Sequence, residues 1–208
     1  MNLLQKIYHI LFPTYIHCLR KHLKNCGSVL ELGCGKGSPL KYVKKTFYSV
    51  GLDVHKPSIE ESKKLKIHDE YVLSDVFNNN FKEKQFDCVV ALDFIEHLKK
   101  GDGFKLIKMM EKIAKKKIVI FTPTGFLPQS AIEDNRHQEH ISGWDVKEMK
   151  KEGFEVYGVN GWKPLRGERA AIKWHPKLFW ELISILSEPI TYVFPNHAFQ
   201  MFCVKKLK

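Results

Sequence analysis

Arginine is scarce in this chain of 208 residues: Arg20, Arg136, Arg166 and Arg169 are the only four among 34 basic residues, the rest being lysine. The guanidinium is the group suited to bidentate phosphate and base contacts. Its scarcity therefore argues against a nucleic-acid reader, although 34 Lys plus Arg against 23 Asp plus Glu leave a formal charge of +11. CxxC pairs are absent as well. Cys18, Cys26, Cys34, Cys88 and Cys203 form neither a disulfide framework nor a cysteine zinc pattern, and a reducing cytoplasm is the expected compartment. No apolar run reaches the roughly 20 residues that span a bilayer. The N-terminal run from Ile7 to Leu19 is broken by His9, Pro13 and His17, and no small-residue cleavage site follows it. Repeats, low-complexity tracts and a Pro/Gly/Ser-rich linker are missing too, so one decorated domain over 1–208 is expected.

What is present suits a buried core: 44% apolar and 12% aromatic residues. Strand and helix signals alternate. Ser28–Leu32 reads as a buried strand, Pro39–Thr46 as a helix, Tyr48–Asp53 as a strand and Ser58–Lys66 as a helix. Strands near Glu70–Ser74 and at Phe86–Leu92, a helix over Gly103–Lys115 and the strand Lys117–Phe121 follow. Further on, a helix over Trp144–Glu152 capped by Ser142, strands at Phe154–Val159 and Ala198–Val204, and an apolar helical stripe in Pro176–Ser187 are expected. Repeated strand-helix-strand units imply an α/β, Rossmann-like, doubly wound sheet with functional loops at the carboxyl ends of its strands.

The strongest local signal is Val29 to Gly37, a strand entering a glycine-rich turn, where missing Cβ atoms let the backbone approach a ligand and a following helix would offer free N–H groups. Its spacing is GxGxG, since Ser38 stands where a dinucleotide site wants its last glycine. Glu31, Asp53, Asp75 and Asp93 then close four successive strands, and a parallel sheet brings such ends to one edge. Four carboxylates in one crevice suit a cationic, hydroxylated, amino-bearing ligand and repel a pyrophosphate.

ELGCGKG, Leu52-Asp53-Val54, Ser74 to Asn78 and Phe86 to Leu98, in that order over about 29–122, resemble the class I S-adenosylmethionine-dependent methyltransferases, especially their small bacterial and archaeal members. The resemblance implies a seven-stranded, mostly parallel sheet with an antiparallel last strand, supplied by Ala198 to Val204. It implies S-adenosylmethionine as cofactor. Glu31, Gly33, Cys34, Gly35 and Gly37 would then hold its methionine part, Asp53 with Val54 the ribose and Asp75 with Val76 the adenine, with Leu92 and Asp93 near the sulfonium. The implied activity is methyl transfer to a small-molecule acceptor, preferably at oxygen. The Asn/Asp-Pro-Pro-Tyr turn of nitrogen methylases is replaced here by Asp93-Phe94-Ile95-Glu96, and no cysteine follows a proline as cytosine C5 chemistry would need. An RNA methyltransferase and a non-catalytic cofactor-binding partner subunit are the alternatives.

His97 is the preferred candidate base, with a usual pKa of about 6.5, and His140 is the second catalytic candidate. The long loop from Thr122 to Trp144 supplies Arg136, His137 and Trp144 as candidate substrate-binding residues. No metal is expected, since His137, Glu139 and His140 lack the spacing and further ligand of a strong site. The acceptor side is expected to be built from an N-terminal helical segment, 1–27, and two insertions, 123–143 and 161–197. Leu178, Phe179, Leu182, Ile183 and Leu186 in the second insertion read most simply as core, with a lid, a dimer face or peripheral membrane contact as sharper options that the N-terminal Leu3, Leu4, Ile7, Tyr8, Leu11 and Phe12 would join.

Overall fold

Seven strands, β1 Ser28–Leu32, β2 Tyr48–Asp53, β3 Glu70–Leu73, β4 Phe86–Leu92, β5 Ala114–Pro123, β6 Glu155–Trp162 and β7 Ala198–Lys206, carry the apolar runs of the sequence. Helices α1 Tyr15–Leu23, α2 Lys56–Lys64, α3 Lys100–Ile113, α4 Val146–Lys151 and α5 Lys177–Val193 accompany them. The structure, a computed structural model, describes residues 8–9, 11–43, 46–131 and 138–208. The strands form one sheet in the order β3-β2-β1-β4-β5-β7-β6. Pairs β1–β2, β1–β4, β2–β3 and β4–β5 are parallel, whereas β7 runs antiparallel to both β5 and β6.

Both sheet faces are covered, as continuous apolar strands require. Val89 and Ala91 of β4 face Leu106, Ile107 and Met110 of α3 and Met149 of α4; Cys88, Val90 and Leu92 face the side on which Leu19 and Leu23 of α1 pack. Helix α1 is thus part of the core. Among the described residues, no helix is long and apolar enough to cross a membrane.

Several boundaries differ from the sequence reading for local reasons. Pro39–Thr46 is not a helix: a 3-10 turn covers Pro39–Tyr42, capped by Ser38 on the Leu40 N–H, and Val43 is already extended. Aromatic and β-branched residues at Tyr42, Val43 and Thr46 disfavour continuation. Among the described residues, no α-helix therefore starts directly behind the glycine loop. Helix α4 begins after Asp145, which forms a capping box with Glu148, and not after Ser142. Ser142 is buried, its hydroxyl accepting from Trp144 Nε1 at 3.2 Å.

Helix α5 turns Ser184, Glu188 and Thr191 inward. Gly158 and Gly161 of β6 explain this: a Cβ there would lie 2.1 Å from Thr191 O and 2.4 Å from Ser184 O, so the helix rides on bare backbone with its small polar residues. The stripe expected as core is consequently outside. Glu188 accepts from Tyr8 OH at 2.6 Å, and burial pushes its carboxyl up to about 7. Because the folded form holds the proton more firmly than the unfolded chain, stability from this group is present below about 4.5 and is lost as pH rises through about 7. Glu188→Gln should flatten that slope, recovering up to about 3 kcal/mol at pH 8 relative to pH 4. Thermal melts across this range check it, and an equal melting-point change at every pH would refute it.

Candidate functional site

The site is assembled at the carboxyl ends of β1, β2, β3 and β4. Gly33 and Gly35 adopt left-handed φ values of 69° and 55°, which favour glycine. At Gly33 the close approach is severe, since a Cβ would lie 2.1 Å from the Phe94 ring. The turn folds back onto β2, where Gly35 N–H and His55 N–H each donate to one oxygen of Asp53 at 2.8 Å. Asp75 accepts from Phe77 N–H at 2.8 Å and keeps its carboxylate exposed. Glu31 is held differently: its Oε2 lies 2.9 Å from Nε2 of buried His68, a partner that the sequence did not announce.

These residues border two adjoining cavities. One, of about 120 Å³, is bounded by Gly33, Gly35, Asp53, Val54, Asp75, Val76, Asp93 and His97. The other, of about 480 Å³, follows the glycine loop past Glu31, Cys34, Gly37 and Leu92 and shares Gly33, Gly35 and Asp93. Every residue expected to hold the cofactor therefore lies on one connected crevice. A third cavity, of about 400 Å³, opens on the far side of Asp93 and His97, between Tyr15, Phe121, His140, Arg169 and Gln200.

A cluster of titratable groups stands at this shared wall. Ile141 N–H and Ser142 N–H both donate to Glu96 O at 3.0 Å, which ties the loop bearing His140 to the turn bearing His97. His97 Nδ1 donates to Glu139 O at 2.9 Å and His140 Nδ1 to Leu127 O at 2.8 Å. A carbonyl can only accept, so the neutral rings carry their lone pairs on Nε2. The ring centres are 4.8 Å apart. Buried Glu96 accepts from Thr122 Oγ1 at 2.9 Å through Oε2, while its Oε1 has no hydrogen-bond partner among the described residues. One ligand atom each from Glu96, His97 and His140 lie within 4.8 Å of one another.

The electrostatics of the wall point the same way. Asp93 reaches solvent through the crevice but is otherwise ringed by protein, and this desolvation pushes its carboxyl up to about 7 against a 2.9 Å hydrogen bond from Gln200. Burial and then the Asp93 charge hold Glu96 well above the carboxylate range. Burial lowers His140, favouring the neutral ring that ligates metals, and the Leu127 carbonyl works against it. A cation would relieve both carboxylates, and imidazoles whose Nδ1–H is anchored on a carbonyl are what metal-binding histidines present. The residues present fit a divalent cation. The trio shares only His140 with the His137, Glu139 and His140 set, on which no metal is expected from sequence; Glu96 and His97 come from the turn after β4.

The family described as "Methyltransferase domain" matches residues 30–121. Over those residues the chain matches a methyltransferase domain, and its sheet has the class I Rossmann-like fold. The chain is 26% identical to the small RNA 2'-O-methyltransferase of Schizosaccharomyces pombe, covering 62% of this chain and 43% of that protein. It is 25% identical to an uncharacterised protein of Methanocaldococcus jannaschii, covering 70% and 63%. The chain thus spans less than two thirds of the length of either curated relative. Among solved structures it is similar to a SAM dependent methyltransferase from Archaeoglobus fulgidus, with TM-score 0.56, 18% identity and coverage of 98% of this chain and 99% of that one. At that identity the likeness concerns the fold.

The matched residues end where the segments expected on the acceptor side begin, and there the structure departs from the expectation. Trp144, expected at the substrate, is 0% exposed and lines none of the three cavities. It fills the core under α3: Gly103 faces its ring, where a Cβ would lie at 2.2 Å, and Lys100 Nζ sits 3.8 Å from the ring centre. Arg136 and His137 lie outside the described residues. Gln200 is not among the expected site residues, yet one polar residue in the apolar run Ala198 to Val204 is a readable signal. It links Asn160, at 2.5 Å, to Asp93. Tyr15, stacked on Phe121 with centroids 4.0 Å apart, is not among the expected site residues either, because helical periodicity marks it only as core.

Proposed function

We propose that this chain moves a methyl group from S-adenosylmethionine to a hydroxyl oxygen of a small-molecule acceptor. The observation that carries the reading is the Glu96–His97–His140 cluster at the wall between the glycine-loop crevice and the third cavity. The cofactor supplies a methyl group on a sulfonium, transferred by in-line displacement. Gly33, Gly35 and Gly37 with Glu31 and Cys34 would receive its methionine part, Asp53 and Val54 the ribose, and Asp75 and Val76 the adenine. Leu92 and Asp93 would border the sulfonium.

The acceptor oxygen must lose a proton. His97 and His140 face that step from the wall, and with Glu96 they are the residues that would hold a divalent cation. A bound cation lowers the pKa of a hydroxyl that ligates it. Tyr15 of the N-terminal segment, Leu127 and Gln129 of the first insertion and Arg169 of the second would position the acceptor, beside Phe121 and Gln200 of the sheet. Oxygen as the acceptor atom also agrees with the name of the fission-yeast relative. A small acceptor is favoured over RNA by a cavity of about 400 Å³ and by a chain with four arginines.

Calorimetric titration with S-adenosylhomocysteine tests the foundation. Micromolar binding is expected, weakened at least about tenfold in Asp53→Ala by loss of a charge-assisted hydrogen bond. Tight NAD binding in its place would overturn the reading.

A further inference from the structure

The face that α5 turns to solvent is apolar and the face it turns to the sheet is polar, the reverse of an ordinary surface helix. Leu178, Phe179, Leu182, Leu186, Ile190 and Val193 are 52–87% exposed. Recurring mainly every fourth residue, they form one stripe about 20 Å long at roughly 1.5 Å per residue. Contiguous apolar surface of this kind marks an interaction site. No unpaired negative charge interrupts it: Glu181 is paired with Arg166 at 2.9 Å, and Glu188 is buried against Tyr8. At the N-terminal end of the stripe stand exposed Lys173, Trp174 and Lys177, the cationic and indole groups that settle at a lipid headgroup boundary.

We propose that this stripe seats α5 on the surface of an anionic phospholipid bilayer. Charge decides between the candidate occupants. A second copy would bring one formal charge of +11 against another, whereas an anionic surface is attracted by the same excess. The inner side of α5 is fastened to the protein: Trp162 N–H donates to Ser187 Oγ at 2.9 Å and Arg166 Nε to Ser184 Oγ at 3.1 Å. The helix therefore lies in the interface plane, its apolar side in the acyl boundary and its polar side on the sheet. Arg166 also donates to Asn160 O at 3.0 Å and Ala170 O at 2.8 Å, both residues of the third cavity. The helix that meets the bilayer thus shares one guanidinium with the rim of that cavity.

Flotation of the intact protein with vesicles of phosphatidylcholine, with and without phosphatidylglycerol, tests this. Binding is expected to the anionic vesicles, to weaken as salt is raised, and to shift Trp174 fluorescence to the blue. The double substitution Leu182→Glu with Leu186→Glu should lower partitioning by about tenfold or more. Both positions are more than half exposed, so an unaltered thermal melt is expected and separates lost docking from lost folding. No association with anionic vesicles, or association unchanged in the double variant, would overturn the proposal. So would a dimer in solution that the same two substitutions dissolve, which would assign the stripe to a second copy.

Discussion

Trp144→Ala should destabilise the folded chain by about 3–5 kcal/mol, the cost of emptying a fully buried aromatic site. For a domain of this size that lowers the melting temperature by roughly 10 °C. The ring is enclosed by α3 on the side of Gly103, where no side chain can swing in to fill the void, and by Ile95 and Phe104. Collapse would be partial, which favours the upper end of the range. The indole N–H also fixes Ser142, whose neighbour Ile141 joins the loop to Glu96, so the variant should lose order around His140 as well. Trp144→Phe, keeping most of the volume, should recover more than half of the loss. Melting by circular dichroism decides: stability within about 1 kcal/mol of the parent, together with altered acceptor use, would return Trp144 to the substrate side.

Glu96→Gln should abolish binding of Mn²⁺, read by electron paramagnetic resonance, and leave S-adenosylhomocysteine affinity within about twofold. The substitution keeps the shape of the side chain and its bond to Thr122 but removes the one anionic ligand of the trio. Methyl transfer to a hydroxyl acceptor should fall by about a hundredfold or more, and chelation of the parent protein should produce a loss of similar size. His140→Ala should lose the metal as well. Retained Mn²⁺ in Glu96→Gln, or equal loss of cofactor affinity, would contradict the assignment, the second because it would mark Glu96 as a general support of the crevice.

The sheet was readable because its strands are short apolar runs bounded by glycine and acid, and the glycine loop and four strand-ending acids lie within a residue or two of their strands. Where the sequence misled, tertiary contacts had overridden local pattern. Trp144 looked functional because it stands in a polar, histidine-rich loop, yet the glycine opposite it in α3, which makes it core, is 41 residues earlier in the chain. The stripe of α5 looked like core because its periodicity is that of a buried face. Only the distant Gly158 and Gly161, which admit a close backbone, reveal which side is inside. Glu96 and His140 are 44 residues apart and meet through two main-chain hydrogen bonds, which no side-chain pattern encodes.

The placement of β7 has a consequence for synthesis. It is last of the seven strands in chain order but sits between β5 and β6, so β6 has no sheet neighbour until Ala198–Lys206 has left the ribosome. Gln200 and Phe199 arrive with it. The glycine-loop half, β1 to β5, can form its parallel ladder during elongation, while the third cavity, lined by Phe199 and Gln200, is closed only by the final strand. A nascent chain thus completes its glycine-loop crevice well before the third cavity can close.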